Sequence, residues 1–220
     1  MEKHYKEAFE KIAEEKKERI MAAAAAEFAA KGFGTANINV IARRAGVSIG
    51  AMYNYFASKE DLFLTVIDRA YHILEGVLDQ VRTAEGDIFE KLESMFRAAQ
   101  KYSKRYPELN QIYLDMTSEG LAHLSRKLSG KMETISARLY KAMLAEAQDN
   151  GLVDKGIDCD VTAFFLDNLI LLLQYSYTSE YFKERMKIFV GPDALENDEK
   201  VVAGLMRLVR GALGACPDGK

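Results

Sequence analysis

The sequence predicts an all-α chain, in which a small N-terminal helical part precedes a larger helical part. Apolar residues recur every three or four positions along most of the 220 residues, and this is the spacing of one helix face. No segment of any length shows the apolar and polar alternation of a β-strand. Only three prolines interrupt the chain, so long helices are possible.

The composition is typical of a soluble globular protein, with 49% hydrophobic residues, 29% charged residues and a formal net charge of −3. The chain does not start with a basic and then apolar signal peptide, so we expect a cytoplasmic location. Cys159 and Cys216 lack the spacing of a metal or redox pair and suit a reducing compartment. The most apolar segment, residues 161–177, contains Asp167 and Asn168 and is short for a membrane span, so we expect a buried or interface helix.

The first three predicted helices form a helix-turn-helix arrangement. The first spans residues 5–31, where an alanine-rich run favours a helix and a Lys-Gly pair ends it. Asn37 then caps a short helix that ends at Gly46, because glycine readily adopts the left-handed conformation that terminates helices. Ser48 caps the next short helix. Such a motif places its second helix in the DNA major groove, so residues 37–56 predict DNA binding.

The charge distribution agrees with this prediction. Residues 28–59 contain no Asp or Glu, although the chain average predicts about five. The basic residues of the same segment are Lys31, Arg43, Arg44 and Lys59. A locally basic segment within a net-acidic chain indicates a surface that faces phosphates. The alternative is an apolar helical hairpin that lacks acidic residues by chance.

The second short helix, residues 48–55, carries the predicted contacts to bases. Gly50 allows the helix to approach the groove closely, since it has no side chain. Ile49 and Ala51 offer methyl groups, which suit the methyl groups of thymine. Asn54 is expected to bond either a base edge or a phosphate.

Phosphate contacts are predicted around these bases. Asn37 and Ser48 lie at helix starts, where their side chains and free backbone N–H groups bind phosphate. Tyr53 has a phenol placed for phosphate, and Lys59 provides a positive charge at the start of the next helix. Arg44 is a further candidate for a backbone or base contact.

Two interpretations stay open for the neighbouring residues. Tyr55 is a candidate for DNA contact, but core packing is the favoured interpretation for it, as it is for Phe56. Lys16, Lys17 and Arg19 either add phosphate contacts or form a solvated charged face that is interleaved with glutamates.

Helices are also predicted through the rest of the chain. Their ranges are residues 58–82, 88–105, 108–116, 118–150 (one long helix or two abutting ones), 159–182 and 198–214, with a loop at 189–197. The helix at 159–182 is apolar on nearly all sides, and the helix at 198–214 is also rich in apolar residues. A helix that is apolar all round must be covered on all sides, which a two-fold dimer interface or a single buried core position achieves.

Residues 14–74 resemble the DNA-binding domain of the TetR family of bacterial transcriptional regulators. The matching residues keep a fixed spacing through the helix-turn-helix and its flanking helices. They are Ile20, Ala24, Phe28, Gly32, Phe33, Ile41, Ala42, Ala45, Gly46, Val47, Ser48, Gly50, Tyr53, Tyr55, Phe56, Ser58, Lys59, Glu60, Leu62 and Phe63. The chain departs from the family pattern at Ala51, where a hydroxyl residue is common, and residues 1–13 extend the first helix further than usual.

The resemblance implies a three-helix helix-turn-helix domain at residues 14–74 and a larger helical ligand-binding and dimerisation domain at residues 84–214. It implies a homodimer in which two C-terminal helices per subunit, residues 159–182 and 198–214, form a four-helix interface. Two-fold symmetry then predicts a palindromic DNA operator. The resemblance further implies a repressor that a small-molecule effector releases from DNA, with a transcriptional activator as the alternative.

An effector pocket inside the helical bundle needs large apolar groups and a few polar ones. The candidates are Phe96, Tyr113, Met116, Met132, Leu139, Phe165, Leu169 and Tyr175. Plain core packing is the alternative for each of them. No cofactor is expected.

Two other classes of protein are compatible with a helical chain. An enzyme is disfavoured, because the chain has no phosphate-binding loop, HExxH motif, paired-cysteine site or nucleophile elbow. Asp115, Glu119 and His123 have the spacing of metal ligands on one helix face, but a solvated polar face is the favoured interpretation and no metal is expected. A helical scaffold or adaptor is the remaining class, and it predicts a stable dimer without salt-dependent DNA binding.

Overall fold

The computed structural model describes residues 3–116 and 122–214, without the side chains of residues 122–129 and 131. Every regular element in these ranges is a helix. The same ranges contain one isolated β-bridge, between Val153 and Gly214. The helices are α1 (Glu7–Glu10), α2 (Glu14–Thr35), α3 (Ile38–Ala45), α4 (Ile49–Tyr55), α5 (Lys59–Thr83), α6 (Ile88–Arg105), α7 (Pro107–Met116), α8 (Ala122–Asp149), α9 (Cys159–Thr178), α10 (Glu180–Val190) and α11 (Asp198–Leu213). The predicted all-α fold class is confirmed.

The chain forms two compact units. Unit 1 comprises residues 1–74 and 108–125, and unit 2 comprises residues 75–107 and 126–220, as far as each is described. Unit 1 therefore holds α1 to α4, the first part of α5 and nearly all of α7. Helix α7, which the sequence places in the larger domain, clusters with unit 1.

Unit 1 is organised around a core of large apolar side chains. Less than 2% of the surface of each of these is exposed: Ile20, Phe28, Ile41, Met52, Leu62, Phe63, Ile112 and Val66. The rings of Phe28 and Phe63 meet edge to face at 5.0 Å between centroids, which is a favoured aromatic geometry. This core fixes α3 and α4 against α2 and α5.

The prediction of one helix over residues 5–31 is wrong at its N-terminal end. Helix α1 ends at Glu10, and α2 begins at Glu14, because Ala13 has an extended ψ of 143°. The break allows Phe9, which is 5% exposed, to pack against the side chains that follow α4. At the other end, Gly32 has a φ of 69° and interrupts α2 where the Lys-Gly pair predicts an end.

In unit 2, helix α9 packs against α6 and α10, and α11 packs against α6. Asp87 begins α6 with a capping box, in which its side chain accepts from the N–H of Glu90 and Glu90 accepts from the N–H of Asp87. The predicted helix at 159–182 is too long, since α9 ends at Thr178 and Ser179 is extended. A separate helix, α10, then continues to Val190, so the loop begins at Gly191, two residues after the predicted start at residue 189.

The start of the predicted helix at 118–150 lies outside the described residues, in which α8 runs from Ala122 to Asp149. Residues 117–121 and 215–220, including Cys216, lie outside the described residues. Within the residues that the structure covers, none of the helices combines the length and the apolar content that a bilayer crossing requires.

Candidate nucleic-acid interface

Helices α3 and α4 have the local geometry of the predicted helix-turn-helix. The Asn37 side chain accepts the backbone N–H of Asn39 at 2.8 Å, and Ser48 Oγ accepts the N–H of Ala51 at 3.1 Å. These two caps satisfy donors that have no partner inside the helices. Gly46 joins the helices with a φ of 67° and ψ of 37°, the left-handed conformation that glycine adopts without strain.

The exposed face of α4 carries most of the predicted base contacts. Ile49 is 38% exposed and Tyr53 is 52% exposed, while Gly50 and Asn54 are also exposed. Ala51 is half-buried. A Cβ atom at Gly50 would lie 4.0 Å from Ser48 Oγ, which is ordinary contact, so packing within the chain does not require glycine there.

Arg44 forms an ion pair within unit 1. Its Nη1 lies 3.1 Å from Oε2 of Glu27, whose side chain is only 5% exposed. The other oxygen of Glu27 accepts the backbone N–H of Asn37 at 3.3 Å. Glu27 is not among the residues predicted from the sequence, although an acidic residue inside an apolar stretch of helix is a signal for a buried partner.

Lys59 also has partners within the chain. Its Nζ donates to the carbonyl oxygen of Gly34 at 2.9 Å and to that of Ala36 at 3.3 Å. The ammonium group lies 5.0 Å from the ring centroid of Phe33. Lys59 therefore stabilises the connection between α2 and α3 from the start of α5.

Tyr55 lies in the core rather than on the exposed face of α4. It is 6% exposed, and its phenol accepts a hydrogen bond from Lys16 Nζ at 2.9 Å. Lys17 and Arg19 form exposed pairs with glutamates on their own helix. The structure thus brings Lys16 to Tyr55 and places Lys17 in a charged face with Glu14. Arg19 also donates from its Nε to the carbonyl oxygen of Ala45 in α3, at 3.5 Å.

Lys6 is a further residue of this region that was not predicted from the sequence. Its backbone N–H donates to the carbonyl oxygen of Tyr55 at 2.8 Å, and its Nζ donates to the carbonyl oxygen of Tyr53 at 2.8 Å. Both acceptors lie in the last turn of α4. No local pattern predicts these bonds, because the partners are more than 45 residues apart in sequence.

The predicted effector-pocket residues are divided between the two units. Tyr113 and Met116 belong to unit 1. In unit 2, Phe96, Leu139 and Tyr175 are buried, whereas Met132 and Leu169 are half-buried. Phe165 is 61% exposed, so it lies on the outside of this single chain.

Unit 2 also contains a polar cluster between α8 and α9. The hydroxyl of Tyr175 is buried and has no hydrogen-bond partner within residues 3–116 and 122–214. Burial raises the pKa of Asp167 to about 6, and the nearby negative charge of Glu133 adds to this effect. Burial likewise raises the pKa of Tyr140, with a contribution from Asp167. Such a cluster can offer hydrogen bonds to a polar group of a ligand.

The predicted metal-ligand spacing has no support in the described part of the chain, where no group of three or more His, Cys, Asp or Glu side chains is placed to hold a metal ion. Asp115 instead accepts a hydrogen bond from Gln111 at 2.8 Å. Glu119 lies outside the described residues, and the side chain of His123 is not among those described.

Comparisons with known proteins agree with this geometry. Residues 20–66 match the family model described as "Bacterial regulatory proteins, tetR family". The transcriptional regulator HbdR of Aromatoleum sp. (strain CIB) is 30% identical over 213 residues, which cover 93% of this chain and 84% of HbdR. The transcriptional repressor KstR of Mycolicibacterium smegmatis is 23% identical over 137 residues, which cover 62% of this chain and 65% of KstR.

A solved structure shares the fold at lower identity. The regulator FadR of Bacillus subtilis in complex with stearoyl-CoA superposes with a TM-score of 0.66 at 18% identity, over 86% of this chain and 97% of FadR. The match to the family model, the similarity to HbdR and the helix-turn-helix geometry identify a DNA-binding transcriptional regulator rather than an enzyme. The chain belongs to the TetR family of bacterial transcriptional regulators.

Proposed function

We propose that the chain acts as a homodimeric repressor that binds a palindromic operator and is released from it by a small-molecule effector. The observation that carries the DNA-binding part is the outward face of α4, which combines exposed side chains with a surrounding segment free of Asp and Glu. Acidic residues on this face would repel DNA phosphates. Small outer residues at Gly50 and Ala51 let the helix backbone lie close to the floor of a major groove.

The residues proposed to contact DNA differ in whether their polar groups already form hydrogen bonds within the chain. Tyr53 and Asn54 are exposed and provide polar groups for phosphates and base edges. Ser48 accepts a hydrogen bond as a cap, but its hydroxyl hydrogen stays available to a phosphate. Arg44 and Lys59 already contact acceptors within unit 1, so we assign them a supporting role that uses their remaining N–H groups.

Dimerisation is supported by the exposed apolar surface of unit 2. Along α9, the side chains of Val161, Phe164, Phe165 and Leu172 are each at least 48% exposed. They follow one another at intervals of three, one and seven residues, so they form a stripe on one helix face. On α11, Leu208 is 59% exposed. An apolar stripe of this kind on a single chain marks a contact with another chain, and a second copy buries it with two-fold symmetry.

A two-fold dimer presents two copies of α4 related by the same symmetry axis. The DNA sequence that satisfies both copies is therefore a palindrome, with half-sites separated by about one helical turn or a multiple of it. The base sequence of each half-site depends on few side chains, chiefly Ile49, Ala51, Tyr53 and Asn54.

Effector binding is assigned to the interior of unit 2. Phe96, Leu139 and Tyr175 provide buried apolar surface, and the Tyr175 hydroxyl needs a hydrogen-bond partner. FadR of Bacillus subtilis, which shares the fold, holds stearoyl-CoA, and this supports the capacity of the fold to enclose a small molecule. Because α5 is a continuous helix whose residues belong to both units, we propose that it couples effector binding to DNA binding. The coupling is then reciprocal, so that DNA also weakens effector binding.

Sequencing of the DNA that the purified protein retains tests this function. Fragmented genomic DNA of the source organism is mixed with the full chain at moderate salt, and the bound fraction is sequenced. Tyr53→Ala is the test variant, and Tyr181→Ala is the matched control, because Tyr181 is an exposed tyrosine (73%) of α10 in unit 2. We expect one enriched palindrome with the wild type and with Tyr181→Ala, and weaker enrichment with Tyr53→Ala.

The same experiment separates the alternatives. A helical scaffold would give a stable dimer in solution and equal, weak background DNA with all three proteins. Repression is then tested with a reporter gene downstream of the enriched palindrome. We expect the protein to lower reporter expression, and an increase would instead identify an activator.

A further inference from the structure

The last turn of α4 is held from outside the helix by the N-terminal segment, residues 3–10. Lys6 donates its backbone N–H to the carbonyl oxygen of Tyr55 and its ammonium group to that of Tyr53, each at 2.8 Å. The last four carbonyl groups of a helix have no partner within that helix. Lys6 alone therefore provides hydrogen-bond donors for two of these four carbonyl groups of α4.

Aromatic packing joins the same segment to the end of α4. The ring of Phe9 lies 4.8 Å from that of Phe56 and 5.9 Å from that of Tyr55, measured between centroids. The backbone N–H of Phe9 donates to the carbonyl oxygen of Lys6 at 2.8 Å, so the polar and apolar contacts belong to one turn. An exposed ion pair between Lys3 and Glu10 spans the same turn.

Helix α4 depends on such support because it has only seven residues. Helices shorter than about 12 residues are marginal in isolation, so packing decides where a short helix lies. Tyr53 and Asn54, which are proposed to contact DNA, occupy the turn that Lys6 contacts. A binding site has to be held within about 0.5 Å of its productive geometry, so a loosened last turn would misplace these side chains.

We infer that the N-terminal segment is a positioning element for DNA recognition, and that Lys6 is its principal positioning residue. This inference rests on the proposed DNA binding by α4. We assign Lys6 a role through α4 because its ammonium group donates to the Tyr53 carbonyl oxygen. A phosphate contact from its remaining N–H groups is the alternative, and the test below separates the two. The segment itself offers no net attraction to DNA, since Lys3 and Lys6 are balanced by Glu7 and Glu10.

The test compares three variants of the full chain. Lys6→Met removes the ammonium donor and keeps the length of the side chain and the backbone N–H. Lys6→Arg keeps a donor and is the rescue variant. Lys11→Met is the matched control, because Lys11 lies just beyond the segment and pairs with Glu7 at the surface. Each variant is measured for binding to the enriched palindrome and to a scrambled duplex at several salt concentrations, and for hydrogen exchange without DNA.

We expect Lys6→Met to weaken binding to the palindrome about tenfold, to leave binding to the scrambled duplex and the salt slope unchanged, and to speed hydrogen exchange in residues 49–56. Lys6→Arg should restore most of the affinity, and Lys11→Met should match the wild type.

An equal loss of affinity for both duplexes in Lys6→Met, with a salt slope reduced by about one, would identify a phosphate contact and overturn the inference. Unchanged exchange in residues 49–56 would overturn it as well, whether or not the wild type binds DNA. Absence of a palindrome for the wild type would count against the proposed function instead.

Discussion

Arg44 in α3 and Glu27 in α2 form an ion pair, with 3.1 Å between Arg44 Nη1 and Glu27 Oε2. The carboxylate of Glu27 also accepts the backbone N–H of Asn37 at the start of α3. One buried carboxylate therefore connects α2 to both ends of the first helix of the helix-turn-helix. A buried charge that loses its partner is costly, because it stays desolvated without compensation.

Arg44→Ala should consequently lower the free energy of unfolding by about 1–3 kcal/mol, since it leaves the Glu27 carboxylate with the Asn37 N–H alone. Arg43→Ala is the matched control, because Arg43 is the exposed neighbour on the same helix. Its effect should stay within about 0.5 kcal/mol. Urea denaturation followed by circular dichroism measures both. Equal stability of the two variants would show that the ion pair does not stabilise the fold.

Ser48 should have separable roles in helix capping and in DNA binding. Ser48→Ala removes the acceptor for the Ala51 N–H and should cost about 1 kcal/mol of stability. Ser48→Asp keeps an acceptor at the cap and should retain stability, but its charge should repel phosphate and weaken operator binding at least about tenfold. Thermal unfolding and fluorescence anisotropy with labelled operator measure the two properties. Tight operator binding by Ser48→Asp would exclude this helix start from the interface.

Phe164→Glu should break the proposed dimer, because it places a charge in the middle of the apolar stripe of α9. Phe164 is 64% exposed in the single chain, so the substitution should leave the fold of the subunit intact. Tyr181→Glu is the control, since Tyr181 is an exposed aromatic residue of α10, outside α9 and α11. Sedimentation equilibrium should give a monomer for Phe164→Glu and a dimer for the control. A dimeric Phe164→Glu variant would place the interface elsewhere.

Asp167 should make stability depend on pH. Burial raises its pKa from 3.8 to about 6 in the folded chain, so the folded state holds the proton more tightly than the unfolded state. Stability from this group is therefore present at low pH and is lost as pH rises from about 4 to about 6. Asp167→Asn cannot ionise and should be more stable than the wild type at pH about 7.5, with a smaller difference at pH about 4. Denaturant midpoints at the two pH values measure this, and a pH-independent difference would contradict it.

Local signals in the sequence predicted those parts of the fold that are decided by neighbouring residues. Asn37, Gly46 and Ser48 define the two short helices because caps and left-handed turns depend on the residues beside them. The exposed face of α4 followed from the helical repeat.

Contacts between residues that are far apart in sequence could not be predicted from such local signals. The hydrogen bond from Lys6 to Tyr53 spans 47 positions, and the pair of Arg44 with Glu27 spans 17. The break before α2 was hidden because helix-favouring residues continue through it, and packing of Phe9 decides it. The break at Ser179 was hidden in the same way, since the apolar pattern of α9 continues into α10.

Gly50 separates the packing inside unit 1 from the surface that α4 is proposed to present to DNA. The space around its Cα is open, and the nearest atom to an added Cβ would be Ser48 Oγ at 4.0 Å. Alanine favours a helix over glycine by about 0.5–1 kcal/mol, so the chain forgoes stability at this position. New side chains here would change the outer surface of α4 and leave the packing inside unit 1 as it is. Under the proposed DNA binding, a lineage that carries this fold can therefore change its operator at one position without rebuilding its interior.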